Sequence, residues 1–162
     1  MADEGGTEPL ASGENQLRPC LYFILDDSAA AGWGHAALIV CDGTGYFYYS
    51  YGPTWKGYGP TGLITATFPD WASALAYAKS GDPVNKYTYE AHWNVTASQA
   101  LGAKAKAAAY ANTTYDLMTH NCWNMVYDAI SSAVPGKIVN RGPSSNINYK
   151  YNKWLANGYS EL

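Results

Sequence analysis

Two short segments of this chain carry side chains that could together perform nucleophilic catalysis. The first is Gly34-His35, at the start of an apolar run, and the second is Asn121-Cys122, at the start of a segment with helical periodicity. A cysteine thiolate attacks carbonyl carbons, and a neighbouring imidazole activates the thiol by taking its proton. The sequence therefore predicts a Cys122–His35 pair, provided that the fold brings the two residues together.

Apolar side chains recur at helical spacing from Cys122 onward: Cys122, Met125, Val126, Ala129, Ile130 and Ala133. With Asn121 as the N-cap, Cys122 lies in the first helical turn. There the unpaired N–H groups and the helix dipole lower a thiol pKa from about 8.5, and a backbone N–H could bind an oxyanion. The alternative is that Cys122 belongs to the apolar stripe as a buried core residue without chemistry.

His35 follows a Gly-rich loop and opens a strand, so its imidazole could project into a cleft at the end of that strand and act as the base. The alternative is a half-buried structural histidine.

A partner for the His35 ring is expected on the next strand. The turn signal at residues 42–45 predicts an antiparallel hairpin between strands 35–41 and 46–51. This register places Ser50 on the same side as His35, which makes Ser50 the candidate that orients the ring. A register one residue different would replace it with Tyr49 or Tyr51.

The remaining histidines and cysteines are assigned no catalytic role. His120 precedes the helix of Cys122 and is expected to be structural or to line the cleft. His92 lies in a predicted strand with no partner in view and is expected to be structural. Cys20 and Cys41 occupy strand patterns and are interpreted as core or surface thiols.

The remaining elements follow from capping residues and breakers. A near repeat, Tyr-Gly-Pro-Thr at 51–54 and 58–61, predicts a loop that holds aromatic side chains over a cleft. The other predicted elements are strands 21–25 and 87–95 and helices 71–79, 97–111, 122–134 and 147–156. Strands and helices in separate runs indicate an α+β fold.

Composition limits the classes of function. The chain has 162 residues, of which 48% are apolar, and this suits one domain with its own core. A net charge of −3 with scattered basic residues argues against binding of nucleic acid, and no apolar run approaches the roughly 20 residues of a membrane span. Three cysteines without zinc-type spacing predict neither a metal site nor a disulfide framework, and no cofactor is expected.

The first 19 residues are rich in Gly, Glu, Ser and Pro and lack the basic and apolar regions of a Sec signal peptide. They are expected to form a flexible leader, followed by a single catalytic domain over 20–162.

The sequence resembles the circularly permuted NlpC/P60 branch of papain-like proteins in three segments. These are the strand at 34–40, the Tyr-rich strand that returns beside it, and Tyr115-Asp116-Leu117-Met118-Thr119-His120-Asn121-Cys122. The resemblance covers about residues 20–134 and implies an antiparallel sheet packed against helices. It also implies that Cys122 is the nucleophile and His35 the base. The third position of that family is usually His, Asn or Gln, and this sequence departs from it in offering Ser50.

The resemblance further implies a cysteine amidase or endopeptidase that cleaves amide bonds of bacterial peptidoglycan, similar to the effectors injected by type VI secretion systems. Such a protein would be secreted without a Sec signal, act in the periplasm of a target cell and have an immunity protein as partner; otherwise it would be cytoplasmic. Two alternatives stay open. One is an isopeptidase or acyltransferase of the same fold, and the other is a non-enzymatic module that binds glycan or protein through the Tyr-Gly-Pro-Thr loop.

Overall fold

A six-stranded antiparallel sheet forms the centre of the fold. The computed structural model describes residues 17–162. The strands are β1 (Cys20–Asp26), β2 (His35–Cys41), β3 (Tyr46–Tyr51), β4 (Leu63–Phe68), β5 (Tyr89–Asn94) and β6 (Gly158–Glu161). They lie in the order β4-β3-β2-β1-β5-β6, and each neighbouring pair is antiparallel.

Helices cover both faces of the sheet, which gives an α+β fold. They are α1 (Trp71–Ala76, continued by a π-helical turn over Tyr77–Gly81), α2 (Ala97–Ala108), α3 (Cys122–Ala133) and α4 (Ser145–Asn152). Helices α2 and α3 pack on one face and α1 on the other, while α4 contacts α3, β1 and β2. Because both faces are covered, all residues of β1 and β2 are buried and their apolar residues run continuously instead of alternating with polar ones.

The elements defined by local signals form where the sequence predicts them. The hairpin pairs Cys41 with Tyr46 across residues 42–45, which confirms the predicted register. Asp70, Thr96 and Asn121 cap α1, α2 and α3 through their side chains, as expected. The boundaries differ by a few residues, since α2 ends at Ala108 and the last helix covers 145–152 instead of 147–156.

Two edge strands are absent from the sequence prediction. Strand β4 follows the Gly- and Pro-rich loop and is only half-buried, and β6 has four residues without an apolar run. Both pair on one side only, so neither needs the apolar pattern that identifies a central strand. Residues 1–16 of the predicted leader lie outside the described part of the chain. The division of the chain at residue 19 therefore stays a prediction.

The loop before β2 is attached to α4, and this contact sets where β2 begins. The Asn146 backbone N–H donates to the Trp33 carbonyl at 2.9 Å, and its side-chain amide donates to Gly32 O at 2.8 Å and to Asp27 O at 3.1 Å. Gly34 lies directly against this asparagine with φ of +79°. A Cβ at Gly34 would overlap the Asn146 side chain and lie 3.2 Å from its backbone nitrogen.

Replacing Gly34 with alanine should therefore lower the free energy of unfolding more than replacing Gly32. Gly32 also has a positive φ, of +95°, but a Cβ there meets no atom within 4 Å. Gly32→Ala reports the backbone strain alone, about 1–2 kcal/mol, and Gly34→Ala adds an overlap that costs about 1–3 kcal/mol more. Urea denaturation of both variants measures the difference, and equal losses would contradict the attachment.

Candidate active site

Asn121 fixes the start of α3 and thereby the position of Cys122. Its Oδ1 accepts from the Asn124 N–H at 3.1 Å, and its own N–H donates to Asn124 Oδ1 at 2.8 Å. The Asn121 amide nitrogen donates to the carbonyls of Leu117 and Pro143 at 2.7 and 3.0 Å. The cap thus joins the helix to two loops. As the first helical residue, Cys122 has a backbone N–H with no acceptor inside the helix.

The Cys122 thiol is buried, with 4% of the residue exposed, but its surroundings are polar. The Ala36 N–H points at the sulfur from 3.5 Å, and the Ser145 Oγ lies 3.5 Å away. Burial by itself would raise the pKa of the thiol. The charge and hydrogen bond of His35, together with the Ala36 and Ser145 contacts, outweigh burial and lower the pKa from 9.0 to about 7. A substantial fraction is therefore thiolate at neutral pH.

His35 is held through both ring nitrogens. Its Nε2 lies 2.8 Å from Ser50 Oγ, and its Nδ1 lies 3.4 Å from the Tyr58 hydroxyl oxygen. The Asn85 amide in turn donates to that oxygen at 2.7 Å. Burial raises the pKa of Tyr58, so its hydroxyl keeps its proton. Ser50 occupies Nε2 at the shorter distance, whereas Nδ1 has only the longer Tyr58 contact, so Nδ1 is the nitrogen available to the thiol.

The structure brings Cys122, His35 and Ser50 together, and Tyr49 and Tyr51 do not take the place of Ser50. His35 and Ser50 lie on the face of the sheet that α1 covers. Tyr49 and Tyr51 belong to the core on the opposite face. Cys122 reaches the imidazole from that opposite face because β2 begins at His35 and the start of α3 lies beside this end of the strand.

The remaining histidines and cysteines lie in other surroundings. His120 stacks on Tyr110 with ring centres 4.7 Å apart. The sequence showed no partner for His92, and the structure corrects this: its Nδ1 lies 2.8 Å from Glu90 Oε1. Cys20 and Cys41 are buried thiols in β1 and β2. Among residues 17–162, no three His, Cys, Asp or Glu side chains are grouped so as to hold a metal ion.

A cleft of about 450 Å³ opens beside His35. Its walls include Tyr58, Asn85 and Tyr115, which the sequence pattern did not single out, and the Tyr-Gly-Pro-Thr loop contributes Trp55 and Lys56. The loop therefore lies over a cleft, as its composition predicted. Tyr58 itself is the first residue of the second Tyr-Gly-Pro-Thr copy, which was the available signal for it.

A larger hollow, of about 900 Å³, lies between α4 and the end of β6. Arg141, Lys150 and Lys153 line it with several aromatic residues. Neither Cys122 nor His35 is part of its wall, so its size does not make it the reaction site.

Alkylation of Cys122 by iodoacetamide should follow the lowered thiol pKa. Because only the thiolate reacts, the rate should rise with pH through a midpoint of about 7 and fall below it as the thiol is protonated. His35→Ala removes the opposing charge and leaves burial, so the midpoint should move above about 8.5. Cys122→Ala controls for Cys20 and Cys41, and a midpoint unchanged by His35→Ala would contradict the coupling.

Removal of the Asn121 cap should cost more stability than removal of a comparable cap elsewhere. Thr96 caps α2 with a similar reciprocal bond on the surface, and its replacement by alanine should cost about 1 kcal/mol. Asn121→Ala also leaves the Leu117 and Pro143 carbonyls without their donor, which adds about 1–3 kcal/mol. Thermal denaturation compares the two variants. If Cys122 is alkylated more slowly in Asn121→Ala but not in Thr96→Ala, the cap positions the thiol in addition to stabilising the fold.

In the part of the chain that the structure describes, no helix has the length and apolar character needed to cross a membrane. No protein-family model matches the sequence, and no curated protein matches it. Among solved structures, the fold is similar to the crystal structure of the type VI secretion system effector TseH, with a TM-score of 0.54. The alignment covers 89% of each chain at 18% identity, and a likeness at this identity shows the shared fold.

Proposed function

We propose that this protein is a cysteine hydrolase in which Cys122 is the nucleophile, His35 the general base and acid, and Ser50 the group that orients His35. The observation that carries the proposal is the surroundings of a buried thiol. An imidazole, a backbone N–H and a hydroxyl converge on it and lower its pKa to about 7. A binding module with Cys122 as a core residue gives no reason for three polar groups around a buried sulfur.

The reaction follows from these positions. The Cys122 thiolate attacks a carbonyl carbon, and the developing oxyanion is stabilised by the Cys122 backbone N–H. His35, which has taken the thiol proton at Nδ1, returns it to the leaving amine as the acyl-enzyme forms. Water, deprotonated by His35, then attacks the thioester, and the collapse of that intermediate releases the acid and the free thiol. Ser50 holds the ring through Nε2 in both steps.

For the substrate we propose amide bonds of bacterial peptidoglycan. The fold similarity to a type VI secretion effector and the resemblance to NlpC/P60 proteins support this choice. The cleft combines aromatic walls with Asp26 and Lys56, which suits a polar peptide better than a lipid chain. In this role the protein would be delivered by a type VI system, act in the periplasm of a target cell and be matched by an immunity protein in the cell that produces it.

Digestion of purified peptidoglycan tests the proposal. The wild-type protein should release defined muropeptides that mass spectrometry identifies, and Cys122→Ala should release none because the nucleophile is gone. Ser50→Ala should retain reduced activity, about 10- to 100-fold below wild type, because the imidazole stays in place but loses its orienting partner.

Cys20→Ala is the matched control, since it also removes a buried thiol but at the start of β1. It should digest peptidoglycan like the wild type. Release of the same products by Cys122→Ala would disprove the mechanism. No release by any variant from walls of several peptide chemistries would transfer the mechanism to another amide or ester, as in an isopeptidase or acyltransferase.

A further inference from the structure

A row of buried hydroxyl groups leads from His35 to a carboxylate that the proposed mechanism does not use. Ser50 Oγ, 2.8 Å from His35 Nε2, also lies 3.3 Å from the Tyr87 hydroxyl oxygen. The Tyr87 oxygen lies 2.8 Å from that of Tyr48, and Tyr48 donates to Asp82 Oδ2. All five residues are buried. The row therefore connects the imidazole to Asp82 without passing through solvent.

Each hydroxyl has one proton, so the carboxylate at the end sets the direction of every bond in the row. Tyr48 gives its proton to Asp82, and hence it can only accept from Tyr87. Tyr87 can then only accept from Ser50, and Ser50 can only accept from His35. The direction ends with His35 Nε2 as an N–H donor, and this leaves Nδ1 unprotonated.

Two further features maintain this direction of the hydrogen bonds. Burial, reinforced by the negative charges nearby, raises the pKa of both Tyr48 and Tyr87 well above the ordinary value, so both retain their protons. Asp82 is itself fixed, because its Oδ1 accepts from the backbone N–H groups of Val84 and Asn85, each at 2.7 Å. Oδ2 is thus the carboxylate oxygen left to accept from Tyr48.

We propose that Asp82 is a positioning residue that sets the tautomer of His35 through the hydroxyls of Tyr48, Tyr87 and Ser50. This inference rests on the proposed function, since the base that accepts the Cys122 proton is the Nδ1 that Asp82 keeps unprotonated. No proton needs to move along the row. Asp82 thus acts on the imidazole indirectly, through three hydroxyl groups, and does not touch it.

The titratable groups around His35 come from β1, from α3 and from two loops. Asp26 lies opposite His35 in the pairing of β1 and β2, Tyr58 contacts Nδ1, the Tyr87 ring is 6.1 Å away, and Cys122 lies at the start of α3. Asp26 is the only other carboxylate of this set. Its two oxygens accept from the Ser28 N–H and hydroxyl and from the Lys86 N–H. Asp26→Asn therefore tests whether Asp26, instead of Asp82, sets the tautomer of His35.

Asp82→Asn reverses the row with little change of shape. The amide oxygen can still accept from the Val84 and Asn85 N–H groups, so the amide nitrogen must donate toward Tyr48. Every hydroxyl then turns round, and Ser50 donates to His35 Nε2. The proton of the neutral ring moves to Nδ1, where it blocks acceptance of the thiol proton.

The tautomer is measured in a Cys122→Ala background, where no thiolate complicates the ring, at a pH of about 8.5, which favours the neutral form of imidazoles in general. Nitrogen chemical shifts from two-bond proton–nitrogen spectra distinguish the protonated from the bare nitrogen. We expect Nε2–H for His35 with Asp82 and Nδ1–H with Asp82→Asn. With the thiol present, Asp82→Asn should slow alkylation at pH 7 at least about tenfold, because less thiolate forms.

Asp70→Asn is the control, since Asp70 caps the other end of α1 from the surface and should leave both readouts unchanged. Tyr48→Phe interrupts the row without altering the turn at Asp82 and should populate both tautomers, so it tests the proposal should Asp82→Asn fold poorly. A His35 tautomer unchanged in Asp82→Asn and Tyr48→Phe, or one reversed by Asp26→Asn instead, would overturn the proposal. If the tautomer reverses but peptidoglycan is not cleaved, the role of Asp82 is upheld and the substrate assignment fails.

Discussion

The contact between the start of α3 and the start of β2 determines the geometry of the site. The Ala36 N–H points at the Cys122 sulfur from 3.5 Å, and His35 is the residue next to it. Helix α3 is held there by its apolar stripe, whose members are fully or almost fully buried against the sheet. Each buried aliphatic side chain contributes about 1.5–3 kcal/mol, against about 1 kcal/mol for a typical hydrogen bond. The core therefore sets the position of the thiol, and the polar contacts refine it.

The excess of tyrosine over phenylalanine has a physical explanation in this site. The chain has 15 Tyr and 3 Phe, although most of the tyrosines pack in the core, where a phenylalanine would serve equally well for burial. Tyr48 and Tyr87 hydrogen-bond to each other and to Asp82 and Ser50, and the Tyr58 hydroxyl contacts His35. A buried imidazole requires partners, and rigid aromatic residues supply them without admitting water. The same side chains build the core and complete the hydrogen bonding of the site.

What could be predicted from the sequence is what short-range rules determine. The hairpin register depends on a turn and a period of two, so these rules alone place Ser50 beside His35. Asp82 could not be placed in this way, because in the sequence it is only part of a helix-ending Gly-Asp-Pro, and its contact with Tyr48 depends on how α1 packs on the sheet. The contact between Glu90 and His92 could have been predicted, because residues two apart on a strand share a face.

The chemistry of the site limits which bonds of the proposed substrate can be cleaved. Because a fold alone hosts many activities, the likeness to TseH does not by itself identify the substrate, and the residues of the site must carry part of the argument. Cys122, of which 4% is exposed, lies beside His35, and Tyr58 and Tyr115 stand in the wall of the cleft that opens there. A thiolate attacks carbonyl carbons, which the peptide stems contain, whereas a glycosidic bond offers no carbonyl. Under the proposed function, Cys122 would therefore cleave amide bonds of the peptide and not the glycosidic bonds of the glycan strand.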